Sequence, residues 1–156
     1  MFEREHALRQ GFGRVAAFDS HARLAEDFAG GEPLVVVLGD NIFEYSHAAE
    51  IAAWGAKGNG AQVFVKDVPD PENFGVVVYD EAGKVIDLAE KAGVVDLRYP
   101  APPTNDAGVG LYCSPADVFS VIASLERSSR GELEITDVNR AYAERGALSV
   151  VPVRGW

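Results

Sequence analysis

Hydrophobic residues fall along this chain in short bursts divided by glycine, proline and acidic positions. The first unbroken burst is Leu34-Val35-Val36-Val37-Leu38, closed by Gly39-Asp40-Asn41. A continuous apolar run ended by a turn signal predicts a strand buried on both faces, as found inside α/β sheets. Such sheets bind ligands at the carboxyl ends of their strands, where Asp40 falls. Gly-Asp-Asn is equally plain turn chemistry, and the pattern alone leaves both readings open.

Downstream, Ala48, Ala49, Ile51, Ala52 and Trp54 form a helical stripe over 46–57, stopped by Gly58-Asn59-Gly60. A strand over 61–65 follows, so a strand–helix–strand unit with parallel strands and a right-handed crossover is expected. Segments 75–79 and 84–88 flank Asp80-Glu81-Ala82-Gly83 and read as a hairpin. Residues 89–108 carry Pro100, Pro102 and Pro103 and are too long for a plain connector. A strand over 109–113, a helix from Ser114-Pro115 to about Leu125, a helix over 136–145 ended by Gly146, and a strand over 148–153 complete the pattern. Upstream, residues 1–16 have little periodicity and read as a leader, with Gly11-Phe12-Gly13-Arg14 a weak phosphate-loop candidate. A short helix after Asp19-Ser20 should end at Gly30-Gly31.

The 156 residues make one domain, and 47% hydrophobic content suffices for a packed core. A net charge of −10 argues against nucleic acid or an anionic membrane as partner. The lone Cys113 rules out an internal disulfide and fits a reducing compartment. With no apolar span and no secretory h-region, a cytoplasmic protein is expected. Cys113 reads as a small core residue, and His6, His21 and His47 lack metal-ligand spacing.

Four segments then coincide in order: Leu38-Gly39-Asp40-Asn41-Ile42-Phe43, Phe74-Gly75-Val76-Val77, Glu90-Lys91, and Arg130-Gly131-Glu132-Leu133-Glu134-Ile135-Thr136-Asp137. Together they resemble the sugar-phosphate nucleotidyltransferases, in the wording of the thymidylyl rather than the uridylyl branch. The resemblance implies an α/β fold: an incomplete Rossmann-like, glycosyltransferase-A-like mixed sheet flanked by helices. Residues 34–156 would be a partial nucleotidyltransferase core and 1–33 a loosely matching leader and short helix. It also implies a reaction in which glucose 1-phosphate attacks the α-phosphorus of dTTP in line and pyrophosphate leaves. Two polyanions must meet, so Mg²⁺ and placed cations are needed.

By the same resemblance Asp40 is the metal-binding, catalytic carboxylate and Asn41 a neighbouring substrate contact. Gly75 brings its backbone amide to the sugar. Glu90 accepts from sugar hydroxyls, Lys91 lies near the sugar phosphate, and Arg130 is a catalytic arginine facing phosphate. Gly108 stands where the family has a sugar-contacting valine, and Tyr112 lies on the strand bordering the sugar pocket. Glu132 and Glu134 read as scaffold before a helix N-terminus. By residue type alone, Glu90-Lys91 would be an ordinary solvated pair.

The departures are as specific. Nothing in 1–33 matches the family's glycine-rich Gly-x-Gly-Thr-Arg-Leu loop, nor its base-contacting Gly-Leu-Ala segment. The Trp-x-Asp-x-Gly-Thr segment carrying the second metal ligand would lie past Trp156. Ala92 replaces the proline that usually follows Glu-Lys, and about seven extra residues precede Val109. The expectation is the middle of a longer enzyme, with its sugar side present, its nucleotide side missing and little activity alone. The alternatives are a non-catalytic sugar-phosphate-binding module or partial subunit, or a uridylyltransferase of the same fold. The family is often homotetrameric, which the sequence leaves undecided.

Overall fold

The computed structural model describes residues 25–125 and 134–155. The leader, the Gly11–Arg14 segment, Glu132 and Arg130 lie outside them. Residues 25–29 are helical, and the turn beyond uses positive φ at Gly30 (60°) and Gly31 (84°), where a side chain would be strained.

Six strands form one mixed sheet: β1 (Leu34–Val37), β2 (Ala61–Asp67), β3 (Gly75–Tyr79), β4 (Val85–Glu90), β5 (Asp106–Ser114) and β6 (Leu148–Pro152). The helices are α1 (Ala48–Lys57), α2 (Val118–Ser124) and α3 (Ile135–Glu144). The main path runs β4-β3-β5-β2-β6, and β1 also pairs with β5. Among the described residues only β2 and β6 pair in parallel; the other ladders are antiparallel. Because β1 and β2 each run antiparallel to β5, they point the same way with β5 between them.

Alternation along β2 sorts the core. Val63 and Val65 join Val77, Val85, Leu88, Tyr112 and Ala143 of α3, while Phe64 faces the other way onto Trp54 of α1, Leu111 and Cys113. His47 packs edge-on against Phe43 at 5.5 Å between ring centroids. Burial pushes the Cys113 thiol up to about 11, so it stays protonated at neutral pH. Helix α2 starts at Val118, later than its pattern suggests, and packs Val118 and Val121 on Val138 and Tyr142 of α3. Helix α1 ends at Gly58 (φ 69°), the left-handed cap that its glycine predicts.

The first strand corrects its sequence reading. It alternates rather than burying both faces: Val35 is 40% and Val37 56% exposed. Among the described residues β1 pairs with β5 alone, and only Leu34 and Val36 pack on core clusters. An unbroken apolar run records hydrophobicity, whereas burial also needs a layer on each side.

The irregular segment between β4 and β5 is held by charge. Arg140 of α3 donates to Asp87 Oδ1 (2.9 Å), Asp137 Oδ1 (2.6 Å) and the Leu88 carbonyl (2.9 Å). Arg98 binds Asp96 through two nitrogens (3.0 and 2.6 Å) and reaches Asp87 Oδ2 at 2.7 Å, where the Tyr99 hydroxyl also donates (2.9 Å). Burial works to raise the Asp87 carboxyl, but hydrogen bonds from Tyr99, Arg98 and Arg140 outweigh it and hold the group below its ordinary 3.8. Asp96 is likewise lowered, burial being outweighed chiefly by Arg98.

Half-buried Arg140 and exposed Arg98 should therefore differ on truncation. Arg140→Ala removes one of the two guanidinium groups on Asp87 and the side-chain donor of the Leu88 carbonyl, and is expected to cost about 1–3 kcal/mol in urea unfolding, against less than about 1 kcal/mol for Arg98→Ala. Because both folded carboxyl pKa values are depressed, the stability they contribute is present above pH 3.8 and is lost as pH falls through the lower folded values. Acid titration of unfolding should show this loss shrink in Arg140→Ala.

Candidate functional site

A cleft of about 220 Å³ opens where the end of β4, the start of β3, the middle of β5 and the first turns of α3 converge. Gly75, Glu90, Gly108 and Tyr112 line it together with Thr136 and Asn139 of α3. Four positions far apart in the chain are thus brought to one surface by sheet pairing: Gly75 opposes Glu90 in the β3–β4 ladder, and Val63 opposes Tyr112 in the β2–β5 ladder.

Glu90 is the last residue of β4, and Thr136 Oγ1 donates to its Oε2 at 2.6 Å. A Cβ on Gly75 would stand 2.8 Å from that oxygen and 3.2 Å from Thr136 Oγ1. The glycine therefore makes room for the Glu90–Thr136 pair, beyond any approach of its backbone to a ligand. Gly108 is different: a Cβ there would meet only Gly75 O at 3.6 Å and Val63 Cγ2 at 3.8 Å, which is ordinary contact. Tyr112 is 7% exposed. Its hydroxyl is pushed up to about 12 by burial, with the charges of Glu90 and Asp40 adding to the shift.

Lys91 does not line the cleft. It has φ 44°, the one positive value outside glycine among the described residues, and its amide donates to Phe74 O at 3.0 Å. Ala92 permits this backbone, since a proline there would push Lys91 toward extended angles. The amides of Val94 and Val95 both donate to Lys91 O at 2.9 Å, and Asp96 N donates to Glu90 O at 3.0 Å, closing a turn around the Glu-Lys pair.

Asp40 sits outside the cleft, exposed in the turn after β1. Asn41 Nδ2 donates to its Oδ1 at 2.7 Å, and Asn41 Oδ1 accepts from Gly110 N at 3.3 Å. Asn41 thus spends both ends of its amide tying the strand end to β5. Gly110 is essential to that tie, because a Cβ there would overlap the Asn41 amide and come within 2.7 Å of Leu38 Cβ. Asp40's second oxygen is a hard donor of the kind Mg²⁺ takes, though no group of three His, Cys, Asp or Glu residues clusters among the described residues.

Thr136 and Asn139 were not singled out from the sequence. The available signal was their place in the buried stripe of α3, beside Val138, Tyr142 and Ala143, where polar side chains interrupt an apolar face.

Gly75→Ala should displace the Glu90 carboxylate and break its Thr136 bond, costing about 1–3 kcal/mol of stability by denaturant titration. Gly108→Ala should keep the fold within about 1 kcal/mol. In an ultraviolet titration Tyr112 should ionise near pH 12, and Glu90→Gln should lower that midpoint. The folded pKa lies above the ordinary 10, so Tyr112's stabilising share is full below pH 10 and lost as pH rises toward 12.

Comparison with known proteins places these features. The chain is 42% identical over 135 residues to the glucose-1-phosphate thymidylyltransferase of Xanthomonas campestris pv. campestris (strain B100), covering 85% of this chain and 43% of that protein. It is 37% identical over 136 residues to the low-salt glycan biosynthesis nucleotidyltransferase Agl11 of Haloferax volcanii, covering 86% of this chain and 36% of the relative. The chain thus spans less than half the length of these relatives. Its fold superposes, with a TM-score of 0.77 at 36% identity, on a Bacillus anthracis protein assigned as a glucose-1-phosphate thymidylyltransferase and solved with sucrose, covering 92% of this chain and 56% of that one. Apo UDP-glucose pyrophosphorylase shares the fold at 22% identity, with a TM-score of 0.74 and coverage of 92% and 55%. Residues 3–156 match the nucleotidyl transferase family, and the chain belongs to it.

Proposed function

We propose that this protein serves thymidylyl transfer to a sugar phosphate. A phosphate oxygen of glucose 1-phosphate attacks the α-phosphorus of dTTP in line, the bond to the β-phosphate oxygen breaks, and dTDP-glucose and pyrophosphate form. The observation that carries the reading is the cleft in which Gly75, Glu90, Gly108 and Tyr112 meet. The names of the thymidylyltransferase relatives support the same chemistry.

In this reading Glu90 receives sugar hydroxyls on the oxygen that Thr136 leaves open, and the Gly75 backbone borders the ring. Lys91, which has no side-chain partner among the described residues, supplies a cation for the sugar phosphate. Arg130 would face phosphate as well. Asp40 would hold Mg²⁺ by its exposed carboxylate, since that ion commonly takes one or two carboxylates and completes its shell with substrate phosphates and water. Bound there, Mg²⁺ supplies neutralisation between two polyanions. Asn41 acts by fixing Asp40 rather than by touching sugar. A free, buried Cys113 supports a reducing, cytoplasmic setting.

Glucose 1-phosphate at millimolar concentration, without nucleotide, should raise the melting temperature, and Glu90→Gln should weaken its binding about 10- to 100-fold. Absence of any stabilisation would overturn the reading. In pyrophosphate-release assays with dTTP, glucose 1-phosphate and Mg²⁺ the chain by itself should show little turnover, and Asp40→Asn should abolish what there is. Equal use of UTP would move the protein to the uridylyl branch.

A further inference from the structure

One fully buried side-chain polar atom of the cleft lining stands without a partner. Thr136 gives its hydroxyl proton to Glu90. One helical turn further along α3, Asn139 lies on the cleft wall and is only 3% exposed, yet its Nδ2 is buried without a hydrogen-bond partner. Buried amide groups are nearly always paired, because an unmade hydrogen bond in a low-dielectric setting is costly. A residue whose only task was packing would be better apolar here, between Ile135 and Tyr142 on the buried stripe. Asn139 lines the cleft rather than the closed core, so a bound molecule can pair with its carboxamide once the amide turns toward it.

Taking the cleft as a sugar-phosphate site, as proposed above, we infer that the Asn139 carboxamide is a specificity contact that hydrogen-bonds a ring hydroxyl of the bound hexose 1-phosphate. A hydroxyl both donates and accepts, so it matches an amide in either orientation about its last torsion. Asparagine suits the place better than aspartate. A second carboxylate in the same cleft as Glu90 would repel both that group and the incoming phosphate. The pairing makes the cleft selective, because a sugar lacking that hydroxyl leaves the amide buried and unpaired.

The test is a binding cycle with glucose 1-phosphate and its 2-, 3-, 4- and 6-deoxy analogues, measured calorimetrically on the wild-type protein and Asn139→Leu. In the wild type, one deoxy analogue should bind about 10- to 100-fold more weakly than the parent on account of Asn139. In Asn139→Leu that penalty should vanish while the penalties at the other positions persist. Unchanged ratios across the panel would overturn the inference and leave the sugar-phosphate reading standing. Failure of the wild type to bind any member would overturn both. Should Asn139→Leu not fold, the side-chain amide resonances of Asn139 in the wild type decide: they should shift on adding glucose 1-phosphate and shift less with the one deoxy analogue. Resonances indifferent to the ligand would reject the contact.

Discussion

Strand β5 must serve three neighbours at once, and the molecule is built around how it does so. Its start pairs with β3 at Ala107, its end pairs with β1 from Leu111 to Ser114, and its other edge carries β2 throughout. The change of partner coincides with a break in register: Val63 opposes Tyr112, but Val65 opposes Gly108, so β5 carries extra residues between them. A bulge bends a strand and increases its twist, and glycine tolerates the close approach that follows. Gly110 sits in that bulge, takes Leu38 N on its carbonyl at 2.8 Å and leaves space for the Asn41 amide. The turn carrying Asp40 is therefore placed by a distortion of β5 together with the Asn41 amide that meets it.

The same strand contributes Gly108 and Tyr112 to the cleft, so Asp40 and the cleft wall share one rigid reference. Tyr112 registers both sides, since the charges of Glu90 and Asp40 each raise its hydroxyl. Opposite β5, helix α3 grips β4 through Thr136 on Glu90 and Arg140 on Asp87 and the Leu88 carbonyl. These contacts lie on one helical flank, three to four residues apart, and together fix the strand end from which Glu90 projects. The long segment after Lys91 is tied back to the same helix, with Arg140 reaching Asp96 at 3.4 Å. The segment is held by charge pairing and also by Ala92 and Tyr99, which pack on the cluster of Val76, Val78 and Ala89.

The elements were legible because their signals are local. Glycine caps, a hairpin with Asp and Gly at its turn, and a helical stripe around Trp54 depend on neighbours in sequence, and each stands within a few residues of its expected place. The motif residues Gly75, Glu90, Gly108 and Tyr112 could be named one by one, yet nothing in their spacing indicated that they share a cleft with two polar residues of α3. Asn41 also ties Asp40 to Gly110, a contact that no spacing indicated. Its role depends on a strand that arrives some seventy residues later.

What the sequence determined by itself was the set of elements, the acidic character of the chain, and the identity of the chemical groups available. Those follow from side-chain size, backbone propensity and charge, which each residue carries wherever it goes. The tertiary structure decided which apolar residues are buried, as the half-exposed β1 demonstrates, because burial requires a neighbour on both faces. It also decided that Gly75 exists to admit the Glu90–Thr136 bond, and that Asn139 lies on a cavity with a hydrogen bond unmade. Those are properties of distances between segments, and a linear pattern holds no distances.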